Sequence, residues 1–161
     1  MIDANGYRAN VGIMIANDLG QLFWARRTGR RGWQFPQGGM RADESPRDAM
    51  YRELHEETGL TQEDVVLLSE TREWHIYHLP KAYQREDRTP RCIGQKQRWF
   101  LLRVKHGDVE FRLDHSDAPE FDQWRWIDYW QAAEDVVFFK RAVYRKVLQE
   151  FESVLLTEAV R

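Results

Sequence analysis

Residues 52–59 read RELHEETG and carry Glu53, Glu56 and Glu57 in close succession. On a helix, at about 100° per residue, Glu56 and Glu57 fall roughly 60° and 40° to either side of Glu53. The three carboxylates then share one face about 100° wide. Like charges at these spacings destabilise an exposed helix by about 0.2–0.5 kcal/mol per pair. The penalty grows where the effective dielectric falls, as in a pocket. Such a face is either fully solvated or set against something cationic.

The neighbouring residues argue that this stretch is helical. Ser45 followed by Pro46 has the form of an N-cap and a proline at the first helical position. Asp48 adds an acid to the first turn, where the helix dipole favours it. Met50 and Leu54, four apart, form an apolar stripe beside the acidic face, and Gly59 is placed to end the helix in the left-handed conformation. The pattern predicts a helix over 46–58. Working outward, VGIMIA at 11–16 reads as a buried strand, NDLG at 17–20 as a turn and QLFWAR at 21–26 as a second strand, together a hairpin. A glycine-rich loop, RTGRRGWQFPQGG, follows and leads into the helix. Strands are expected at 65–70, 73–79, 97–104 and 123–128, with a long basic loop over 80–96. A second long helix is expected over 138–156, its core stripe formed by Val143, Val147, Phe151, Val154 and Leu155. Strands and helices in this order imply an α/β fold of the α+β kind, with helices packed on a mixed sheet.

Composition narrows the function. A chain of 161 residues with 42% hydrophobic residues favours one domain, residues 1–161, with a sizeable core. No apolar run approaches a membrane span, so no membrane partner is expected. The polar start and the single Cys92 point to a cytoplasmic protein. The net charge of −2 exerts no global pull on nucleic acid. Arginine supplies 19 of the 24 basic residues, and its planar fork suits phosphate oxygens. Basic residues gather at Arg26, Arg27, Arg30 and Arg31, and again from Lys81 to Arg98, where six of them face only Glu86 and Asp87.

The acidic helix continues a longer pattern. From Gly38, five residues lead to Glu44, seven more to Arg52, and then come Glu53, Leu54, His55, Glu56, Glu57, Thr58, Gly59 and Leu60. This resembles the Nudix box, with every fixed position filled. The resemblance implies a Nudix-type α/β/α sandwich. It extends over GYRANVG, WARR, WQFPQGG, IGQKQRWFLL, PEFDQWRW and VVFFKR, which together look like the bacterial branch of the family that acts on the 5′ end of RNA. That branch removes pyrophosphate from a 5′-triphosphate, leaves a monophosphate and so initiates mRNA decay. A related branch sharing WQFPQGG cleaves dinucleoside polyphosphates. A non-catalytic nucleotide- or RNA-binding module on this fold would not need the complete set of acids.

Chemistry and resemblance agree on the acidic edge. A hard divalent cation takes oxygen ligands and bridges to substrate phosphates; Mg²⁺ is expected, with Mn²⁺ as the alternative. Glu53, Glu56 and Glu57 are expected ligands, and the resemblance adds the Gly38 carbonyl and the distant carboxylate Glu120. Arg52 is expected to hold the carboxylates from behind, with Glu44 supporting the loop. Glu53 and Glu120 compete as general base. The resemblance assigns phosphate contacts to Arg8 and Arg27 and a nucleobase grip to Val137 and Phe139, with Gln37, Gln95 and Lys140 lining the same site. Tyr77 is a further possible contact, although a strand tyrosine is more often packing. The expected partner is an RNA 5′ end or a nucleoside polyphosphate, with no obligate protein partner.

Overall fold

The computed structural model describes residues 1–29, 32–85, 87 and 90–160, with side chains to residue 158. Arg30 and Arg31 of the first basic group, and Glu86 and Arg88 of the second, lie outside the described residues. In chain order the strands are β1 (Tyr7–Ala16), β2 (Leu22–Arg27), β3 (Trp33–Gln34), β4 (Gln37–Gly39), β5 (Val65–Glu70), β6 (His75–His78), β7 (Gly94–Val104) and β8 (Phe121–Ile127). The helices are α1 (Pro46–Thr58), α2 (Gln131–Asp135) and α3 (Arg141–Val160).

The central pair, β1 and β7, runs parallel from Tyr7 opposite Gly94 to Ala16 opposite Arg103. Parallel strands need cover on both faces, which explains why VGIMIA is apolar without alternation. Val11, Ile13 and Ile15 pack with Ala49, Met50 and Leu54 of α1. Met14 and Ala16 pack on the other face with Val143, Tyr144, Val147, Leu148 and Phe151 of α3. The result is helix, mixed sheet, helix, the layering expected from the sequence.

Each central strand has two successive neighbours on its outer edge. β1 meets β4 at residues 10–12 and β2 at Ala16. β7 meets β6 at residues 94–97 and β5 at residues 100–104. The expected hairpin therefore closes only around its turn, where the Asn17 side chain accepts from Leu19 N and Gln21 N, each at 3.0 Å. Beyond it β2 leaves β1 and pairs instead with β8 and β3. This divergence opens a gap at the N-terminal end of the central pair, and the site occupies that gap.

Helix α1 matches its expected bounds. Ser45 Oγ accepts from Asp48 N at 3.1 Å, and Gly59, at φ 77°, donates its N–H to His55 O. Three expectations need correction. The stretch 27–39 is not all loop, because Gln34 pairs with Ala25 and Gly38 with Val11; strands of two and three residues are too short for alternation to show. The C-terminal helix begins at Arg141 after a 3-10 turn over Phe138–Lys140, and α2 precedes it. The 80–96 segment contains a 3-10 turn at Lys81–Tyr83 and gives way to β7 at Gly94. Gly12 lies directly under Trp99, whose indole would collide with any Cβ there. Gly12→Ala should destabilise the fold by about 1–3 kcal/mol through overpacking, read as a lowered midpoint of urea unfolding.

Candidate active site

A cleft of about 500 Å³ lies between α1, the ends of β2, β4, β6 and β7, and the segment joining α2 to α3. Its acidic end is built by one glycine. A Cβ at Gly38 would collide with the Glu53 carboxylate, so only glycine lets α1 lie this close to β4. The partner glycine matters through its backbone, since Gly39 O accepts from Arg52 Nη2 at 2.9 Å.

Arg52 is the hub behind this edge. Its guanidinium grips Glu44 with both prongs, Nε to Oε2 at 2.6 Å and Nη2 to Oε1 at 2.8 Å. Its third nitrogen, Nη1, reaches Glu53 at 2.8 Å and Glu56 at 3.3 Å. Glu44 also accepts from Arg41 N at 2.7 Å. Hydrogen bonding to Arg52 pulls the Glu44 carboxyl down to about 2, so it is ionised at neutral pH. Box position Glu44 therefore clamps the loop to the helix.

Two of the three carboxylates on the acidic face are out of solvent. Glu53 is 8% exposed and Glu57 7%. Burial raises the Glu53 carboxyl in spite of Arg52. Glu57 is raised further, first by burial and then by the charges of Glu53, Glu120 and Glu56. Its Oε2 is buried with no hydrogen-bond partner. Native proteins rarely leave such an atom unsatisfied without a reason. Glu120 precedes β8 and is half exposed, its Oε1 3.8 Å from Arg27 Nε. Glu56 is also half exposed and faces Arg52 at the outer rim of the face.

The middle of the cleft is polar and incompletely paired. Arg27 Nε and Gln95 Oε1, like Glu57 Oε2, are buried without a hydrogen bond. Lys140 is 6% exposed and, among the described residues, has no carboxylate on its ammonium. Its Nζ donates to Gln34 Oε1 at 3.0 Å and to Gln37 Oε1 at 3.3 Å. Burial, and then repulsion from Arg27, lower its pKa to about 8, against attraction from Glu120. Gln37 Nε2 donates to Tyr77 OH at 3.4 Å. The far end is apolar: Val137, 38% exposed, and Phe139, whose ring sits 5.9 Å from that of Tyr77.

The structure thus gathers Gly38, Glu53, Glu57, Glu120, Arg27, Gln37, Gln95, Val137, Phe139 and Lys140 around one cavity. Arg52 and Glu56 stand behind or beside it. Arg8 does not line it. Arg8 is exposed, in register with Gln95, and its guanidinium lies over Gly39. Tyr77 lines the cleft although it is almost fully buried. Gln34 and Gln97 were missed by sequence reasoning. Gln97 is fully buried, donates to Asn10 Oδ1 at 2.8 Å and accepts from Trp99 Nε1 at 3.2 Å. The repeated glutamines of WQFPQ and GQKQ, set in apolar strands, were the available signal.

An oxygen-only donor set, a buried carboxylate oxygen without a partner and a glycine that brings backbone against Glu53 suit a hard divalent cation. Among the described residues, the acids do not form a closed cage of three or more ligands. A small hard cation that keeps several waters and takes substrate phosphates would fit such an open edge.

The NUDIX domain model matches residues 6–150, and the chain belongs to the Nudix family. An RNA pyrophosphohydrolase of Photorhabdus laumondii is 56% identical over 97% of this chain and 89% of its own length. The Escherichia coli RNA pyrophosphohydrolase is 55% identical over 98% and 89%. Two solved structures share the fold at low identity. The E. coli dihydroneopterin triphosphate pyrophosphohydrolase has a TM-score of 0.70 at 18% identity, covering 89% of this chain and 98% of its own. A C. elegans Ap4A hydrolase has 0.66 at 16%, covering 91% and 98%. Gly38→Ala should push the Glu53 carboxylate off β4 and weaken Mn²⁺ binding by at least about tenfold. Electron paramagnetic resonance titration reads the affinity, and far-UV circular dichroism checks that the fold persists.

Proposed function

We propose that this chain hydrolyses the 5′-triphosphate end of RNA to a 5′-monophosphate, releasing pyrophosphate and opening the transcript to decay. The observation that carries the reading is the order of groups along one cleft: buried unsatisfied carboxylate, then cations and amides, then an apolar grip. That order matches a metal-bound polyphosphate followed by a nucleobase. Relatives named RNA pyrophosphohydrolase, more than half identical over nearly the whole chain, support the same substrate.

Glu53, Glu57 and the Gly38 carbonyl, with Glu56 and Glu120 beside them, would hold Mg²⁺, with Mn²⁺ able to substitute. Bound there, a divalent ion neutralises phosphate charge and makes a coordinated water more acidic. Arg52 keeps Glu53 in place against Gly38. Glu53 is pinned and Glu120 is half exposed with a loose 3.8 Å contact to Arg27, so Glu120 is the carboxylate free to accept the proton from the attacking water. Arg27 and Lys140 supply positive charge to the phosphates, and Arg8 meets them at the rim. Gln95 and Gln37 offer amide groups. Val137 and Phe139 hold the base. No described helix is long and apolar enough to cross a membrane.

Turnover of triphosphate RNA and of diadenosine tetraphosphate, measured side by side with Mg²⁺, tests the reading. RNA should be the better substrate by kcat/KM, and RNA turnover that is absent or much slower would refute it. Glu53→Gln should abolish hydrolysis of both while the melting temperature holds. An ammonium with a lowered pKa loses its charge as pH passes about 8, so kcat/KM should fall above that point. Lys140→Met, with no charge to lose, should have lower kcat/KM at neutral pH and lack that alkaline limb.

A further inference from the structure

The cleft does not end at Phe139. Beyond it, at the mouth, stands Tyr83, 54% exposed and on the cleft lining. Its ring centroid lies 4.9 Å from that of Phe139, with the planes at 57°. Tyr77, Phe139 and Tyr83 therefore form an aromatic row from the buried floor to solvent. The Tyr83 ring is not needed to hold its own turn. That turn is closed by Tyr83 N to Pro80 O at 2.8 Å and Gln84 N to Lys81 O at 3.2 Å, and Gln84 Nε2 adds a bond to Leu79 O at 2.9 Å. Phe138 is more exposed, at 61%, but does not line the cleft.

A large aromatic left half in water, on a fixed turn, beside the exposed cation Lys81, is the arrangement that single-stranded nucleic acid uses: a ring for a base and a charge for the backbone. A base lying flat on Phe139 cannot also lie flat on Tyr83, because the two rings are inclined by 57°. Tyr83 must therefore serve a different base.

We propose that Tyr83 forms a second nucleobase subsite, stacking the base that follows, in the 3′ direction, the one held by Val137 and Phe139. This rests on the RNA reading above and deepens it. It makes the cleft a reader of strand rather than of a single nucleotide. A mononucleoside triphosphate has no base to offer Tyr83. The turn at Lys81–Tyr83 then lies where the strand leaves the cleft.

The test compares Tyr83→Ala, Tyr83→Leu and Tyr83→Phe on a mononucleoside triphosphate and on triphosphate RNAs of two to six nucleotides. Stacking predicts that Ala and Leu raise KM about five- to tenfold once the strand reaches the second subsite, with kcat unchanged. The rise should be under twofold for the mononucleotide, and Phe should behave as wild type. Because Leu keeps the bulk without the ring, a purely packing role would leave it close to wild type and overturn the proposal. In parallel, 5′-monophosphate RNA carrying 2-aminopurine at successive positions should show quenching that Ala and Leu abolish at one position, one nucleotide beyond any quenching that depends on Phe139. Equal KM changes at every length, or quenching indifferent to Tyr83, would overturn the proposal. If wild-type protein converts no triphosphate RNA, the function reading fails by itself, and the quenching experiment still decides whether Tyr83 stacks a base.

Discussion

The constraint on which the site depends is the burial of two carboxylates, Glu53 and Glu57, with one guanidinium, that of Arg52, behind them among the described residues. Arg52 is committed to Glu44, to Gly39 O and to one oxygen of Glu53. It cannot also neutralise Glu57, which faces Glu53, Glu56 and Glu120 across a poorly solvated edge. Buried charge without a partner is among the costliest arrangements a fold can carry. On the function proposed above, a divalent cation bound at this edge would supply the missing positive charge.

The sheet explains how the rest of the cleft is assembled. β1 and β7 are long enough to take two neighbours each, and the exchange from β2 to β4 and from β5 to β6 leaves a gap at one end. Into that gap come Arg27 and Glu120 from β2 and the start of β8, Gln95 from β7, Tyr77 from β6 and the turn before α3. Each side chain is carried on, or next to, a regular element, which gives the precision a polyphosphate site needs. The glutamines beneath are held in turn. Trp99 Nε1 can only donate, so it fixes the amide of Gln97, whose nitrogen faces Asn10 and, at 3.4 Å, Gln37 Oε1. Gln37 Oε1 is left facing Lys140 and its nitrogen facing Tyr77. A buried ammonium is thus stabilised by oriented amides and remains available to an anion.

Much of the fold was legible because its signals are local. Ser45, Pro46 and Gly59 bounded α1, the unbroken apolar run marked β1, and the stripe through Phe151 marked α3. The short strands β3 and β4 were not legible, since residues 33–39 take strand form only by pairing with Ala25 and with residues 10–12, far away in sequence. The expected hairpin was half right for a related reason, because nothing in residues 11–26 says that β2 will part from β1 after its first pair.

The sequence by itself determined the acidic helix and the family, because these rest on spacing along a single chain segment; it marked Arg52 and Glu44 as supports, but their pairing with each other came from the structure. Only the tertiary structure decided which carboxylates are buried, that Glu57 Oε2 lacks a hydrogen-bond partner, that Arg8 stands outside the cleft lining, and that Tyr83 forms the mouth. Those facts depend on where remote segments meet, and burial and charge neutralisation are properties of that meeting rather than of any one stretch of residues.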